Sequence, residues 1–341
     1  MEIKIIKESM KEQWEEYIMK NPHSIAWQSY EWSNVLRRHY KFDFYPVAAF
    51  EGSEIAGVFP LYHLKTLFSK DLLTSVPYAV AGGIVSDNKA AKKLLLDKAI
   101  EISGEHNSCR ITLKQYKVRI EGDLRTDENY YNKELGLSEN IDDVWDKISD
   151  INREKIKEGE KYSPVLQHPS EDTDEFYKLL LNHSHNNGIP CVAKTWIEDL
   201  IHFKMYSIAF LKVNGHIVAA TMVKKFKDTV SFPFTCINTT DSRNRIFAYS
   251  LYWGLIRKFA FEGTRIFHSG RIPETDLTDD YRLGWGGTKY KYYYQYYPDN
   301  IAKTEYAAKR GRKRELFESY WKLMPRSIVK MIGPHIVRRF P

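Results

Sequence analysis

The sequence predicts a mixed α/β fold in which one unit occurs twice. Residues 46–64 have the pattern of a β-hairpin, and a helix and a strand follow them. Residues 207–226 have the pattern of a second hairpin, which a strand, a helix and a strand follow. Alternation with period two marks the strands and helical spacing marks the helices. Duplication is the economical explanation, although this order of elements is common enough to recur by chance.

In the first copy, Pro46 to Leu64 contains a Glu-Gly-Ser turn between two strands. A helix is predicted from Asn88 to Ser103, with Gly104 as its stop, before the strand CRITLKQY. In the second copy, Ser207 to Phe226 contains an Asn-Gly turn, which is typical of a two-residue hairpin. The predicted elements that follow it are the strand TVSFPFTC, a helix from Ile246 to Glu262 and the strand TRIFHSG.

The stretch between the copies is charged and helical. Apolar residues recur at helical spacing from Glu139 to Tyr162, which predicts a helix that packs on the protein. A strand over Pro164 to Gln167 follows, and Asp172 to Asp174 precede a helix that ends at Gly188. A further helix spans Thr195 to Lys204. We predict domains at 1–138 and 139–301, the second with the active site, and a basic segment at 302–341.

Composition excludes several classes of protein. With 341 residues, 43% hydrophobic and 28% charged, the chain is globular and long enough for two domains. No apolar stretch reaches the length of a membrane-spanning helix, and the beginning of the chain is too acidic for a signal peptide, so we expect an intracellular protein. The three cysteines lack the paired spacing of a zinc site or a disulfide framework, and no cofactor or metal is expected.

The basic character lies in the C-terminal segment. Residues 302–341 contain eleven Lys or Arg and three Glu, a net charge of +8, so the rest of the chain carries −1 of the total of +7. Basic residues alternate there with Trp and aliphatic residues, as in an amphipathic segment on an anionic membrane surface. Two other interpretations stay open: a terminal helix docked on the protein, and contact with nucleic acid.

One stretch concentrates unusual residues. In FHSGRIPETDLTDDYRLGWGG, Arg271 follows Gly270 at a strand end, and glycines bracket Trp285. A guanidinium beside a glycine can bind an anion together with the backbone. The tyrosines of the next strand, KYKYYYQYY, are explained by a buried sheet edge without any ligand.

The order of elements resembles the GNAT acyltransferase core, and two in tandem resemble the FemAB group. The residues that carry this resemblance are Arg153 to Lys157, the helix pair EFYKLLLNHSHNNGIPCVAKTWIEDL, SGR at Ser269 to Arg271, and YRLGWG at Tyr281 to Gly286. The ending WKLMPRSIVKMIGPHIVRRFP is similar to that of FemAB-like proteins associated with exopolysaccharide and PEP-CTERM/exosortase systems.

The resemblance implies transfer of an aminoacyl or acyl group to an amine of a cell-envelope or lipid-linked saccharide precursor at the cytoplasmic membrane face. The donor stays open between aminoacyl-tRNA and acyl-CoA. The long helical arm that the tRNA-dependent members use is absent from the sequence. Residues 237–254 lack glycine before Gly254, whereas a backbone cradle for the pyrophosphate of CoA needs glycines.

Seven residues are candidates for such a site. Arg271, Arg243 and Arg245 would bind phosphate, and Lys289 would add a positive charge. Tyr249 would relay a proton, Tyr78 would contact the acceptor, and Asp276 would act as base. Structural roles are open for each of them, such as pairing of Arg271 with Glu274 or Asp276. Two alternatives stay open. One is a non-catalytic GNAT-like scaffold at the membrane surface, and the other is an acyl-CoA dependent N-acetyltransferase.

Overall fold

The computed structural model describes residues 1–65, 71–106, 110–238, 242–275, 281–298 and 317–338, with the backbone alone at 242 and 243. Within these ranges the chain forms two compact units: unit 1 comprises 1–131 and 290–298, and unit 2 comprises 132–289 and 317–338. The mixed α/β architecture that the sequence predicts is confirmed. The predicted domain limits describe two copies of one duplicated unit. They stay predictions, because the division into compact units does not test whether one unit is a copy of the other.

The bounds of the elements are as follows. The helices are α1 (Lys11–Lys20), α2 (Tyr30–Tyr40), α3 (Lys89–Glu105), α4 (Ile141–Trp145), α5 (Asp150–Glu160), α6 (Thr173–Asn186), α7 (Lys194–His202), α8 (Ile246–Phe261), α9 (317–323) and α10 (Arg326–Val337). The strands are β1 (Glu2–Ile5), β2 (Asp43–Glu51), β3 (Glu54–Leu64), β4 (Leu72–Ser75), β5 (Arg110–Tyr116), β6 (Arg125–Gly136), β7 (Val165–Ser170), β8 (Ser207–Val213), β9 (His216–Phe226), β10 (Thr229–Ser231), β11 (Cys236–Ile237), β12 (Ile266–His268), β13 (Ile272–Pro273) and β14 (Thr288–Tyr297).

In unit 1 the strands follow the order β1-β2-β3-β4-β5-β14, and the first part of β6 lies next to β14. Strands β4 and β5 run parallel, and the helix α3 between them makes the crossover. The side chain of Asn88 caps α3 by accepting from the backbone N–H groups of Ala90 and Ala91. Leu95 and Ala99 of this helix pack into a core with the sheet. The first predicted hairpin and helix are confirmed.

Strand β14 has neighbours on both sides, so its tyrosines do not form the sheet edge that the sequence predicts. Tyr292 and Tyr294 are buried in a small cluster with Ala81, and the Tyr294 hydroxyl donates to the carbonyl of Val80. The prediction that these tyrosines are buried structural residues is confirmed for this pair.

In unit 2 the order is β6-β12-β10-β9-β8-β7, with β11 pairing to β9 and β13 to β6. The Asn-Gly hairpin is confirmed: Asn214 and Gly215 both have positive φ, 50° and 78°, as the tight turn between β8 and β9 requires. Side chains of α8, among them Leu251 and Leu255, form one core with inward residues of the sheet. Helix α6 packs against β9 and β11.

Two predicted elements are interrupted. The helix predicted over Glu139 to Tyr162 is two helices, α4 and α5, because Ser149 caps a new helix by accepting from the N–H of Asn152. The strand predicted as TVSFPFTC breaks after Ser231 and resumes at Cys236. This second break shapes the site described below.

Candidate active site

The break between β10 and β11 is a β-bulge. Ser231 lies opposite Lys224 of β9, and Cys236 lies opposite Ala220. The chain between β10 and β11 therefore has one residue more than the part of β9 that it faces. Within the bulge, Phe234 takes a positive φ of 57°, and the carbonyl of Pro233 accepts from the N–H of Met222. Beyond the extra residue the chain continues to pair with β9.

Strands β10 and β12 run parallel and diverge at their carboxyl ends. Their register ends at Ser231 and His268. Beyond it, β11 stays paired with β9, whereas the chain after β12 stays with β6. The N–H of Ser269 donates to the carbonyl of Lys133, and that of Gly270 to the side chain of Asn132. Ligands of α/β sheets bind where parallel strands diverge at their carboxyl ends. This divergence is therefore the candidate active site.

Four polar side chains form a row at the divergence. Lys224 lies opposite Ser231, Ser231 opposite His268, and His268 opposite Glu134 of β6. Residues opposite one another across a sheet share a face and lie about 5 Å apart. An amine, a hydroxyl, an imidazole and a carboxylate thus follow one another on one face. We call these four residues the polar row.

The sequence neighbours of the polar row fix which face this is. Val223, Val230, Phe267 and Leu135 each adjoin a member of the row, and all four belong to the core under α8. Successive side chains of a strand point to opposite faces. The polar row therefore lies on the face away from α8.

Lys224 is a buried lysine of the row, and its pKa is shifted. Its side chain is only 6% exposed, and burial lowers the pKa of Lys224 to about 7, because the charged amine loses its water. The face of the Tyr206 ring lies 4.4 Å from Nζ and favours the charged form, so ring and burial act in opposite directions. With a pKa near neutrality, a large fraction of the amine is unprotonated at pH 7 and able to accept a proton.

His268 has a defined tautomer when neutral. Its Nδ1 accepts from the N–H of Gly270 at 3.2 Å, which leaves the proton of the neutral ring on Nε2. The same N–H is shared with Asn132 Oδ1 at 3.1 Å. The turn at Gly270, whose φ is 89°, thus orients the imidazole as well as the chain.

Known proteins share this architecture. FemX superposes with a TM-score of 0.68 over 86% of this chain and 97% of its own, at 11% identity. A tandem GNAT protein from the clavulanic acid biosynthesis pathway gives 0.51 over 86% and 98%, at 9% identity. The chain has the tandem GNAT fold.

A third similar structure is L-PGS from Bacillus licheniformis, with a TM-score of 0.55, 11% identity and 98% coverage of both chains. No model of a known family and no curated protein matches the sequence. At these identities the likeness concerns the fold, and the chemistry has to be argued from the residues of this chain.

The predicted site residue Arg271 follows β12, three residues after His268, at the end where β10 and β12 diverge. Its side chain is exposed, and its carbonyl accepts from the guanidinium of Arg282 at 3.0 Å, so a second cation lies beside it. Lys289 forms an ion pair with Glu274 at 2.6 Å. Glu274 is thus the partner of Lys289, and Lys289 is less suited to bind an anion than the sequence predicts.

The other candidates are distributed over the chain. Tyr249 is half-buried on α8 and packs against the core of unit 2. Arg245 is exposed at the beginning of α8. The side chain of Arg243 and the whole of Asp276 lie outside the described residues, so their predicted roles stay predictions. Tyr78 belongs to unit 1, where its ring lies 4.5 Å from that of Tyr40.

The glycines around Trp285 have a structural role. Trp285 is fully buried, donates to the carbonyl of Tyr281 and packs edge to face with Phe267 of β12. A Cβ at Gly286 would lie 2.3 Å from the carbonyl of Lys147, and one at Gly287 would lie 2.3 Å from that of Glu134. The segment therefore closes tightly on β6 and holds the sheet beside the polar row.

The sequence did not reveal the polar row. Lys224 stands beside Lys225 at the end of a strand, which is the usual place for a solvated charge. The available signal was the alternation along the strand. Ala220, Met222 and Lys224 share one face, and because the first two are apolar, Lys224 lies on a face that is otherwise apolar. Its partners lie on three other strands, and their register is a property of the folded sheet.

Proposed function

We propose that this chain transfers an acyl or aminoacyl group to an amine at the divergence of β10 and β12. The observation that carries the proposal is Lys224, a buried amine with a pKa of about 7, in register with Ser231 and His268. Amide formation from an ester or thioester requires removal of a proton from the attacking amine and stabilisation of an oxyanion. The polar row offers a group for each task.

The residues would act as follows. The acceptor nitrogen attacks the donor carbonyl carbon, the C–N bond forms, and the ester or thioester bond breaks. Neutral Lys224 accepts the proton of the nitrogen, directly or through the Ser231 hydroxyl, which can both accept and donate. His268 Nε2–H donates to the carbonyl oxygen as negative charge develops there. The proton taken from the amine finally reaches the departing oxygen or sulfur, so no further reactant is required.

The two arginines after β12 suit a phosphate-bearing substrate. Arg271, with Arg282 beside it, could hold the pyrophosphate of a lipid- or nucleotide-linked precursor. We therefore propose an amine of a cell-envelope or polysaccharide precursor as acceptor, as in exopolysaccharide-associated FemAB-like proteins. Aminoacyl-tRNA and acyl-CoA both remain donors to be tested, and the reaction as written needs no cofactor.

A donor panel tests this proposal. The purified protein is offered charged tRNA, acyl-CoA and lipid-linked saccharide precursors in parallel, and transfer and binding are measured. We expect transfer from one donor class, loss of at least about 100-fold in Lys224→Met, and an effect below twofold in Lys225→Met. Lys225 is the matched control because it is the adjacent lysine, exposed and on the opposite face.

Arg271→Ala tests the phosphate contact. We expect the variant to fold normally and to lose precursor binding, because its side chain is exposed. If no donor is turned over by the wild-type protein, or if Lys224→Met is as active as Lys225→Met, the assignment of the site fails. Complete lack of transfer would support the non-catalytic scaffold instead.

A further inference from the structure

In the described part of the chain, the C-terminal helices α9 and α10 pack through one side on the rest of unit 2. The Nε2 of His185 lies 3.0 Å from the carbonyl of Met324, and the backbone of Gly188 packs directly against Glu318. Gly333 of α10 allows close contact with the backbone of Cys191. Trp321 is fully buried in this contact surface. The inner side of both helices is thus fixed by specific contacts.

The outer side of the two helices carries several large apolar side chains. Tyr320, Leu323 and Met331 are 68%, 81% and 66% exposed. Tyr320 and Leu323 are three residues apart in α9, as are Ile328 and Met331 in α10, so each pair shares a helix face. Phe317 and Ile328 are exposed as well. Large apolar side chains grouped on an exposed surface indicate an interaction site.

Basic residues surround these apolar side chains. Residues 317–338 contain four Lys or Arg, namely Lys322, Arg326, Lys330 and Arg338, against the single acidic residue Glu318. The four are exposed. A net charge of +3 on so short a segment, together with aliphatic side chains between the charges, complements an anionic surface with an apolar layer beneath it.

We propose that the outer side of α9 and α10 binds the surface of an anionic lipid bilayer. The apolar side chains would enter the interfacial layer while the lysines and arginines contact lipid phosphates. In the described part of the chain, no helix is long and apolar enough to cross a membrane. The four basic residues would repel those of a second copy. Two exposed side chains are aromatic, but Phe317 is already stacked on Trp321, which leaves Tyr320 and the aliphatic side chains as a poor platform for stacking nucleic acid bases.

This surface goes beyond the proposed transfer reaction, and its test does not require activity. The full chain is mixed with vesicles of phosphatidylglycerol and phosphatidylcholine, or of phosphatidylcholine alone, and sedimented. We expect binding to the anionic vesicles only, weakened by salt, and at least about tenfold weaker in Leu323→Ser/Met331→Ser. Both side chains point to solvent, so this variant should keep the wild-type circular dichroism spectrum and Tm.

A matched variant distinguishes this surface from general hydrophobicity. Met19→Ser/Phe261→Ser removes two side chains of comparable exposure, 56% and 65%, from other helices, and we expect vesicle binding within twofold of wild type. The proposal is overturned if the wild type does not bind anionic vesicles, or if both double variants bind equally. A dimer in light scattering that Leu323→Ser/Met331→Ser dissociates would assign the surface to a second copy instead.

Discussion

Units 1 and 2 use the same strand arrangement with different side chains at the same place. In each unit, a long strand pairs antiparallel with a short strand, and the short strand pairs parallel with a third strand that follows a crossover helix. These strands are β3, β4 and β5 in unit 1 and β9, β10 and β12 in unit 2. Where unit 2 places the polar row, unit 1 places Tyr62, Thr74, Thr112 and Tyr296 in register. The ionisable amine, imidazole and carboxylate occur in unit 2 alone at this position.

The chain after the short strand also differs. In unit 1, residues 76–83 return to β5: the N–H groups of Gly82 and Gly83 both donate to the carbonyl of Lys114. The Lys114 ammonium in turn donates to the carbonyls of Val76 and Ala79. Tyr78 belongs to this segment. In unit 2 the corresponding chain stays paired with β9 beyond the bulge and does not return to β12. The chain therefore closes the end of the parallel pair β4 and β5 in unit 1, whereas the end of the pair β10 and β12 stays open in unit 2.

Replacing Lys224 should separate function from stability. The folded protein holds a lysine whose pKa is about 7, against 10.5 as its ordinary value. Between these pH values the unfolded chain binds more protons, so wild-type stability falls as pH decreases from 10.5 to 7. Lys224→Met should raise the free energy of unfolding at pH 7 by about 3–5 kcal/mol, and this gain should shrink as the pH approaches 10.5.

Urea unfolding at pH 7 and pH 9.5 measures this effect. Tyr62→Phe is the comparison in unit 1, because burial raises the pKa of Tyr62 well above its ordinary range and the hydroxyl is neutral at both pH values. We expect its change in stability to be independent of pH. A loss of stability in Lys224→Met at pH 7 would contradict the idea that the buried amine is held at a cost.

The corresponding positions on β5 and β12 should differ in activity. His268→Gln removes the imidazole whose Nε2–H is proposed to stabilise the oxyanion, and we expect transfer to fall about 100-fold, the usual effect of losing one oxyanion donor. Thr112→Val at the same place in unit 1 should change transfer less than twofold. Steady-state assays of both variants, with Tm as a control for folding, measure the contrast. Equal losses in the two variants would remove the distinction between the units.

The smallest contrast concerns glycines. Gly52 and Gly287 have similar positive φ, 64° and 86°, but a Cβ meets nothing within 4 Å at Gly52 and would lie 2.3 Å from the carbonyl of Glu134 at Gly287. We expect Gly52→Ala to cost about 1 kcal/mol through backbone strain alone, and Gly287→Ala to cost about 2 kcal/mol or more. Urea unfolding measures both, and similar values would contradict the tight closure beside the polar row.

Local patterns predicted most elements but not the site. The Asn-Gly turn and the Asn88 cap are readable because their chemistry lies within a few residues. The bulge is not, because Phe234 occupies a left-handed conformation that its residue type does not signal. Arg271 was found because Gly270 adjoins it in sequence. Lys224 was missed because its burial depends on Tyr206, and its partners are brought together only by the register of four strands.

The pH dependence of transfer tests the central claim most directly. If neutral Lys224 is the base, the rate should fall about tenfold per pH unit below about 7 and level off above it, because protonated Lys224 cannot accept a proton. Lys225→Met should keep this break, and the residual activity of Lys224→Met should lack it. A break near pH 7 that persists in Lys224→Met would contradict the account.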